Sequence, residues 1–130
     1  MTRFAIAALA IVATWTASLG FAAARERFPT SAAYGYSSSD FGDPAFLGYV
    51  DSPNQACRGP RRIEMHRING DRDRVVGEAR TTAGRYDWKI ESSDPLPRGK
   101  YYVRVPRRDL GGGDVCNGFR SRPIHSSDYS

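Results

Sequence analysis

The sequence predicts an all-β protein: an antiparallel Greek-key β-sandwich of six or seven strands with one disulfide. Three observations carry this. Short runs alternate between apolar and polar residues, turn chemistry separates them at roughly ten-residue intervals, and two cysteines, Cys57 and Cys116, follow an export leader. Beyond the leader, no window of about 11 residues shows a helical period.

Residues 1–24 read as a secretory signal peptide. Arg3 precedes an apolar stretch, and Ala22, Ala23 and Ala24 supply the small residues of a cleavage site before Arg25. Thr14, Thr16 and Ser18 weaken the stretch as a permanent anchor, so no stable membrane insertion is expected after cleavage. The expected location is secreted, extracellular or at the cell envelope. Without the leader the chain carries 18 basic and 14 acidic residues, interleaved rather than blocked. Mixed charge of this kind describes a solvated surface and argues against nucleic acid as a partner.

Residues 25–45, rich in Ser, Gly, Ala and Tyr, are expected to be a flexible lead-in, with Phe28, Tyr34, Tyr36 and Phe41 as its aromatics. The sandwich is expected over residues 46–125. "AFLGYVDS" is an apolar run ended by "SPNQ". "RRIEMHRI" sets Ile63 and Met65 on one face and Glu64 and His66 on the other, and "NGDRD" turns the chain toward "RVVGEAR". "TTAG" supplies a corner at Gly84, after which Tyr86, Trp88 and Ile90 form the inward face of "RYDWKIES". Two prolines and a glycine then break the chain. "KYYVRVP" places Tyr101, Val103 and Val105 inward and Tyr102 and Arg104 outward. "LGGGD" reads as a flexible loop, "VCNGFRSRPIHS" closes the domain, and residues 126–130 are expected to be a disordered tail.

The expected core is therefore Tyr86, Trp88, Ile90, Tyr101, Val103 and Val105. An even cysteine pair in an oxidising compartment reads as a disulfide between Cys57 and Cys116. Closing a loop of about 60 residues is worth roughly 4 kcal/mol, a large share of what so small a core can supply.

In this order the segments "FLGYVDS", "ACRGPRRIEMHRI", "DRVVGEARTTAGRYDWKI", "RGKYYVRVP" and "VCNGFRSRPI" resemble small secreted bacterial domains related to carboxypeptidase regulatory-like, or prealbumin-like, sandwiches. The matching positions are Gly48 and Val50, Cys57, Arg61 or Arg62, and Val76 with Gly77. They continue with Gly84 and Tyr86, Gly99 with Tyr101, Tyr102 and Val105, then Cys116 and Ser121. Thr82 stands where the family corner carries Asp, and the corner is one residue shorter. The resemblance implies a prealbumin-like or Ig-like topology and a structural, spacer or adhesive role without catalysis.

The residues support no enzyme. His125, Ser126 and Asp128 lie together in the tail without an organised nucleophile. Asn69, Asp71 and Asp73 alternate like the start of a calcium loop, but two arginines interrupt them and the later ligand is missing. Neither metal nor cofactor is expected, and His66 is expected to be solvent-exposed. "LGGGD" precedes neither a helix nor a Lys-Ser/Thr pair, so it is no phosphate loop.

The functional expectation is a secreted non-enzymatic module with a structural or interaction role, its partner a protein or cell-envelope component. The alternative is a carbohydrate-binding module in which Tyr102, flanked by Lys100 and Arg104, stacks on an acidic polysaccharide. A contiguous strip of exposed aromatics would favour sugar binding, and scattered aromatics the structural role.

Overall fold

A computed structural model describes residues 25–38 and 42–129. The leader, Phe41 and Ser130 lie outside the described residues. The fold is all-β, with more and shorter strands than expected. In chain order they are β1 (Arg27–Phe28), β2 (Ser31–Ser37), β3 (Ala45–Asp51), β4 (Arg62–Asn69), β5 (Arg72–Arg80) and β6 (Asp87–Glu91). Then follow β7 (Lys100–Val105), β8 (Arg108–Gly111), β9 (Asp114–Cys116), β10 (Phe119–Arg120) and β11 (Ile124–His125).

Two sheets enclose the core. One has the order β2-β3-β6; the other runs β10-β7-β4-β5, with β11 continuing β10 along the same edge of β7. The chain crosses between them repeatedly. The β4–β5 hairpin lies in the larger sheet, β6 returns beside β3, and β7 returns beside β4. Their facing sides supply Phe46 and Val50, Ile63 and Met65, Trp88 and Ile90, and Tyr101, Val103 and Val105. Each set follows the two-residue period that puts alternate side chains on one face. A third sheet, β1-β9-β8, packs at one end, and its β1–β9 pairing is parallel.

Gly48 makes room for Trp88 within the smaller sheet, and Gly77 lets the two sheets approach. A Cβ on Gly48 would stand 2.0 Å from the Ala33 carbonyl oxygen and 2.7 Å from the Trp88 ring, so the indole lies over bare backbone. A Cβ on Gly77 of β5 would stand 2.3 Å from Ile90 Cγ2 of β6. Trp88 itself is buried, and its Nε1 has no hydrogen-bond partner.

The lead-in departs from expectation. Far from a flexible segment, β2 pairs along its whole length with β3, from Ser31 with Asp51 to Ser37 with Ala45. Ala32, Tyr34 and Tyr36 pack against the core, while Ser31, Ala33 and Gly35 face out. The alternation is real but weak in sequence, because small residues occupy the outward positions. The tail also departs: Ser126–Tyr129 form a 3-10 turn, tied back by the Ser126 N–H donating to the Gly99 carbonyl at 2.9 Å. "LGGGD" is a tight β8–β9 turn rather than a loose loop, with Gly111, Gly112 and Gly113 all at positive φ.

The corner at "TTAG" passes the chain from one sheet to the other. Thr82 and Arg85 exchange backbone hydrogen bonds of 3.0 and 3.1 Å around Gly84, whose φ of +82° favours glycine. Tyr86 stays half-buried just outside the core cluster, correcting its inward assignment. It lies before β6 begins, where its hydroxyl accepts from Gln55 at 3.0 Å and its ring lies under Arg58.

Candidate functional site

The alternation of β4 and β7 directs Glu64, His66, Tyr102 and Arg104 to the outer face of the larger sheet. Asp73 joins them through a β-bulge. Met65 pairs with Gly77, but His66 pairs with Val75, leaving Val76 as an extra residue. The extra residue inverts the facing of everything before it in β5, so Asp73, opposite Ile68, lies on the His66 side.

There the groups satisfy one another. His66 stands between two carboxylates, Nδ1 2.8 Å from Asp73 Oδ1 and Nε2 3.1 Å from Glu64 Oε1. Arg104 donates to Glu64 at 2.9 Å, and Arg62 bridges Glu64 and Glu78. The Tyr102 hydroxyl donates to Asp73. Burial raises the Glu64 carboxyl, but the hydrogen bonds from His66 and Arg104 and the charges of Arg104 and Arg62 outweigh it, leaving its pKa lowered. The Tyr102 hydroxyl chiefly holds Asp73 below its usual range, with His66 adding to the effect. Tyr102 is raised, by burial first and by Asp73 second.

Tyr102 is not the exposed platform its alternation suggested: it is 3% exposed. The strands on either side of β7 cover it. His66 of β4 stacks on the ring with centroids 4.7 Å apart, and the Arg120 guanidinium of β10 stands 4.1 Å from the ring centroid. An outward direction gave no exposure because both neighbours were large and flat. His66, expected to be exposed, is held in the same stack. Of the proposed trio, Arg104 is committed to Glu64, and Lys100 lies apart on a groove of about 810 Å³ with Arg98 and His125. The structure therefore does not join Tyr102, Lys100 and Arg104 into one accessible surface.

No family model, curated protein or solved structure matches this chain.

The disulfide is formed: Cys57 and Cys116 lie with Cα atoms 5.4 Å apart and join a 3-10 turn (Gln55–Cys57) to the end of β9. Beside it lies a residue the sequence reading did not single out as buried. Arg61 is 1% exposed and meets no carboxylate among the described residues. Its guanidinium donates to the carbonyls of Cys57 (2.8 Å), Pro106 (2.9 Å) and Asn117 (3.2 Å) and to the Thr30 hydroxyl (3.2 Å). Burial, and secondarily Arg108, lowers its pKa. The cation fastens four separate segments around the bridge. Ser121 plays a smaller fastening part, since its N–H donates to the Val103 carbonyl and its hydroxyl accepts from the Val103 N–H, each at 2.9 Å.

Of the exposed large apolar residues described, Val75 and Val76 lie on β5 of the larger sheet and the other two on β3 of the smaller one. Leu47 is 42% and Tyr49 57% exposed on the outer face of β3, paired with Gly35 and Ala33 of β2. Tyr49 is the one aromatic among the exposed large apolar residues described, so the exposed aromatics form no strip. Tyr34 and Tyr36 of the lead-in instead point to the core side. Among the described residues no group of three His, Cys, Asp or Glu has a metal-binding arrangement.

Proposed function

We propose that this chain is an exported, non-enzymatic β-sandwich module that acts by binding a protein partner at the cell exterior. The observation that carries this reading is the exposed face of β3. Leu47 and Tyr49 stand above Gly35 and Ala33, which have little side chain to cover them, so the face is flat and apolar at its centre. Asp87, Lys89 and Glu91 of β6 border it on one side with mixed charge. An aromatic centre with a polar rim is the anatomy of a protein interface.

The test is photo-crosslinking from a probe at Lys89 on intact cells producing the full chain, followed by identification of the adduct. The expected result is the chain outside the cytoplasm with its disulfide formed, joined to one defined protein. The adduct should be lost in Leu47→Ser/Tyr49→Ser while the thermal midpoint holds. A chain retained in the cytoplasm, or crosslinks indifferent to the double substitution, would overturn it.

A further inference from the structure

The same bulge that turns Asp73 outward turns Arg74 and Arg72 to the opposite face of the β4–β5 hairpin. That end of the hairpin overhangs the smaller sheet. Arg67, Asn69, Arg72, Arg74 and Val76 line a recess of about 150 Å³ there, and no residue of β2, β3 or β6 contributes to it. Arg67 and Arg74 are direct cross-strand partners, as are Asn69 and Arg72. Like charges set directly opposite one another are unfavourable in a sheet, and no acid lines this recess to relieve them. Arg67 is anchored through its Nε, which donates to the Arg98 carbonyl at 3.0 Å, whereas the Arg72 and Arg74 side chains have no partner among the described residues.

The recess continues into a cleft of mixed lining, where Ser92, Ser93 and Pro97 join apolar residues of the core. Arg67 and Val76 line both, and the cleft, about 310 Å³, reaches down to Phe46, Ile90 and Tyr101 at the open end of the sandwich. Val76, the extra residue of the bulge, is 46% exposed at the junction. Glu91 lines the cleft but not the recess, so an anion's seat is under the arginines. A volume near 300 Å³ is at the lower end of the range for small-ligand sites.

We propose that this recess and cleft bind an anionic amphiphile, a medium-chain carboxylate whose head lies under Arg72 and Arg74 and whose tail enters the cleft. Paired guanidinium groups suit a carboxylate, since each presents a planar fork of donors. The apolar floor distinguishes this ligand from a purely polar anion. The site is separate from the β3 face and stands whether or not that face binds a protein.

The experiment is calorimetric titration of the full chain with decanoate, decanol and polygalacturonate at low and moderate salt. Decanoate is expected to bind saturably at one site and more weakly as salt rises, with decanol at least about tenfold weaker. Arg72→Glu/Arg74→Glu should weaken decanoate by at least about tenfold while the circular dichroism spectrum is unchanged and the thermal midpoint does not fall. Equal binding of decanol, binding of polygalacturonate alone, no saturable binding, or decanoate affinity untouched by the double substitution would each overturn the proposal.

Discussion

Arg61 brings a charge into the interior and meets oxygens that are dipoles, not ions. Removing it leaves three carbonyls and a hydroxyl without their donor, and a buried polar group left unpaired costs about 1–3 kcal/mol. Arg61→Met should therefore lower stability by at least about 3 kcal/mol in urea denaturation, although it preserves much of the volume. Arg61→Lys should recover only part of this, because an ammonium cannot span the four acceptors. The alternation that buries Ile63 and Met65 places Arg61 on the same side one step earlier, but a charged residue just outside β4 does not announce its own burial. Its partners were not legible either, because they come from segments near residues 30, 57, 106 and 117. Trp88 was legible from its alternation, and Trp88→Ala should cost about 3–5 kcal/mol and unfold so small a core. Trp88→Phe should cost much less, since it also removes a buried donor that has no acceptor. Thermal midpoints of the two variants measure the difference. For Glu64 and Asp73 the folded pKa lies below the unfolded one. Their stabilisation is thus present above the unfolded carboxylate range, about pH 4, and is lost as pH falls through the folded values. Urea midpoints should drop on acidification below about pH 4, and Glu64→Gln should make that drop shallower.

At the scale of the strand, the β5 bulge decides which residues meet. Read as unbroken alternation, β5 would put Asp73 inward and Arg74 outward, and both clusters would dissolve. Nothing in "RVVGEAR" announces the inversion, since a bulge is set by the partner strand as much as by its own residues. The β4, β6 and β7 faces, by contrast, follow their sequence alternation. The β2 strand alternates too, but Ser, Ala and Gly at its outward positions carry too little polarity to mark a face in the sequence. Close packing of β5 on β6 is tested at Gly77. Gly77→Ala should destabilise through collision with Ile90 Cγ2, and Ile90→Ala should destabilise by opening a cavity. The double variant should cost less than the sum of the two, because the new methyl occupies space the lost side chain vacates. A double-mutant cycle by chemical denaturation measures that coupling; strict additivity would mean the sheets separate freely at this point.

For the whole molecule, the bridge and the buried arginine work on the same junction, where the small β1-β9-β8 sheet meets the sandwich. The disulfide spans a sequence separation of 59, and the chain-entropy relation assigns a loop of that size roughly 4 kcal/mol. Reduction, or Cys57→Ser/Cys116→Ser, should lower unfolding stability by about that amount, read as a fall in the urea midpoint with the slope little changed. The disulfide and the all-β class were legible from two cysteines and the turn spacing. The site at the open end of the sandwich was not, because it depends on how far one hairpin reaches past the opposite sheet.

The outer edge of β5 carries a further consequence. No described strand pairs with it, so its N–H and C=O groups are a ready template for a strand from another molecule. Arg72, Asp73, Arg74, Glu78 and Arg80 crowd that edge with charge. A second copy laid along it would set many of these like charges against one another before any hydrogen bond had formed. Charge on this edge thereby disfavours strand addition there.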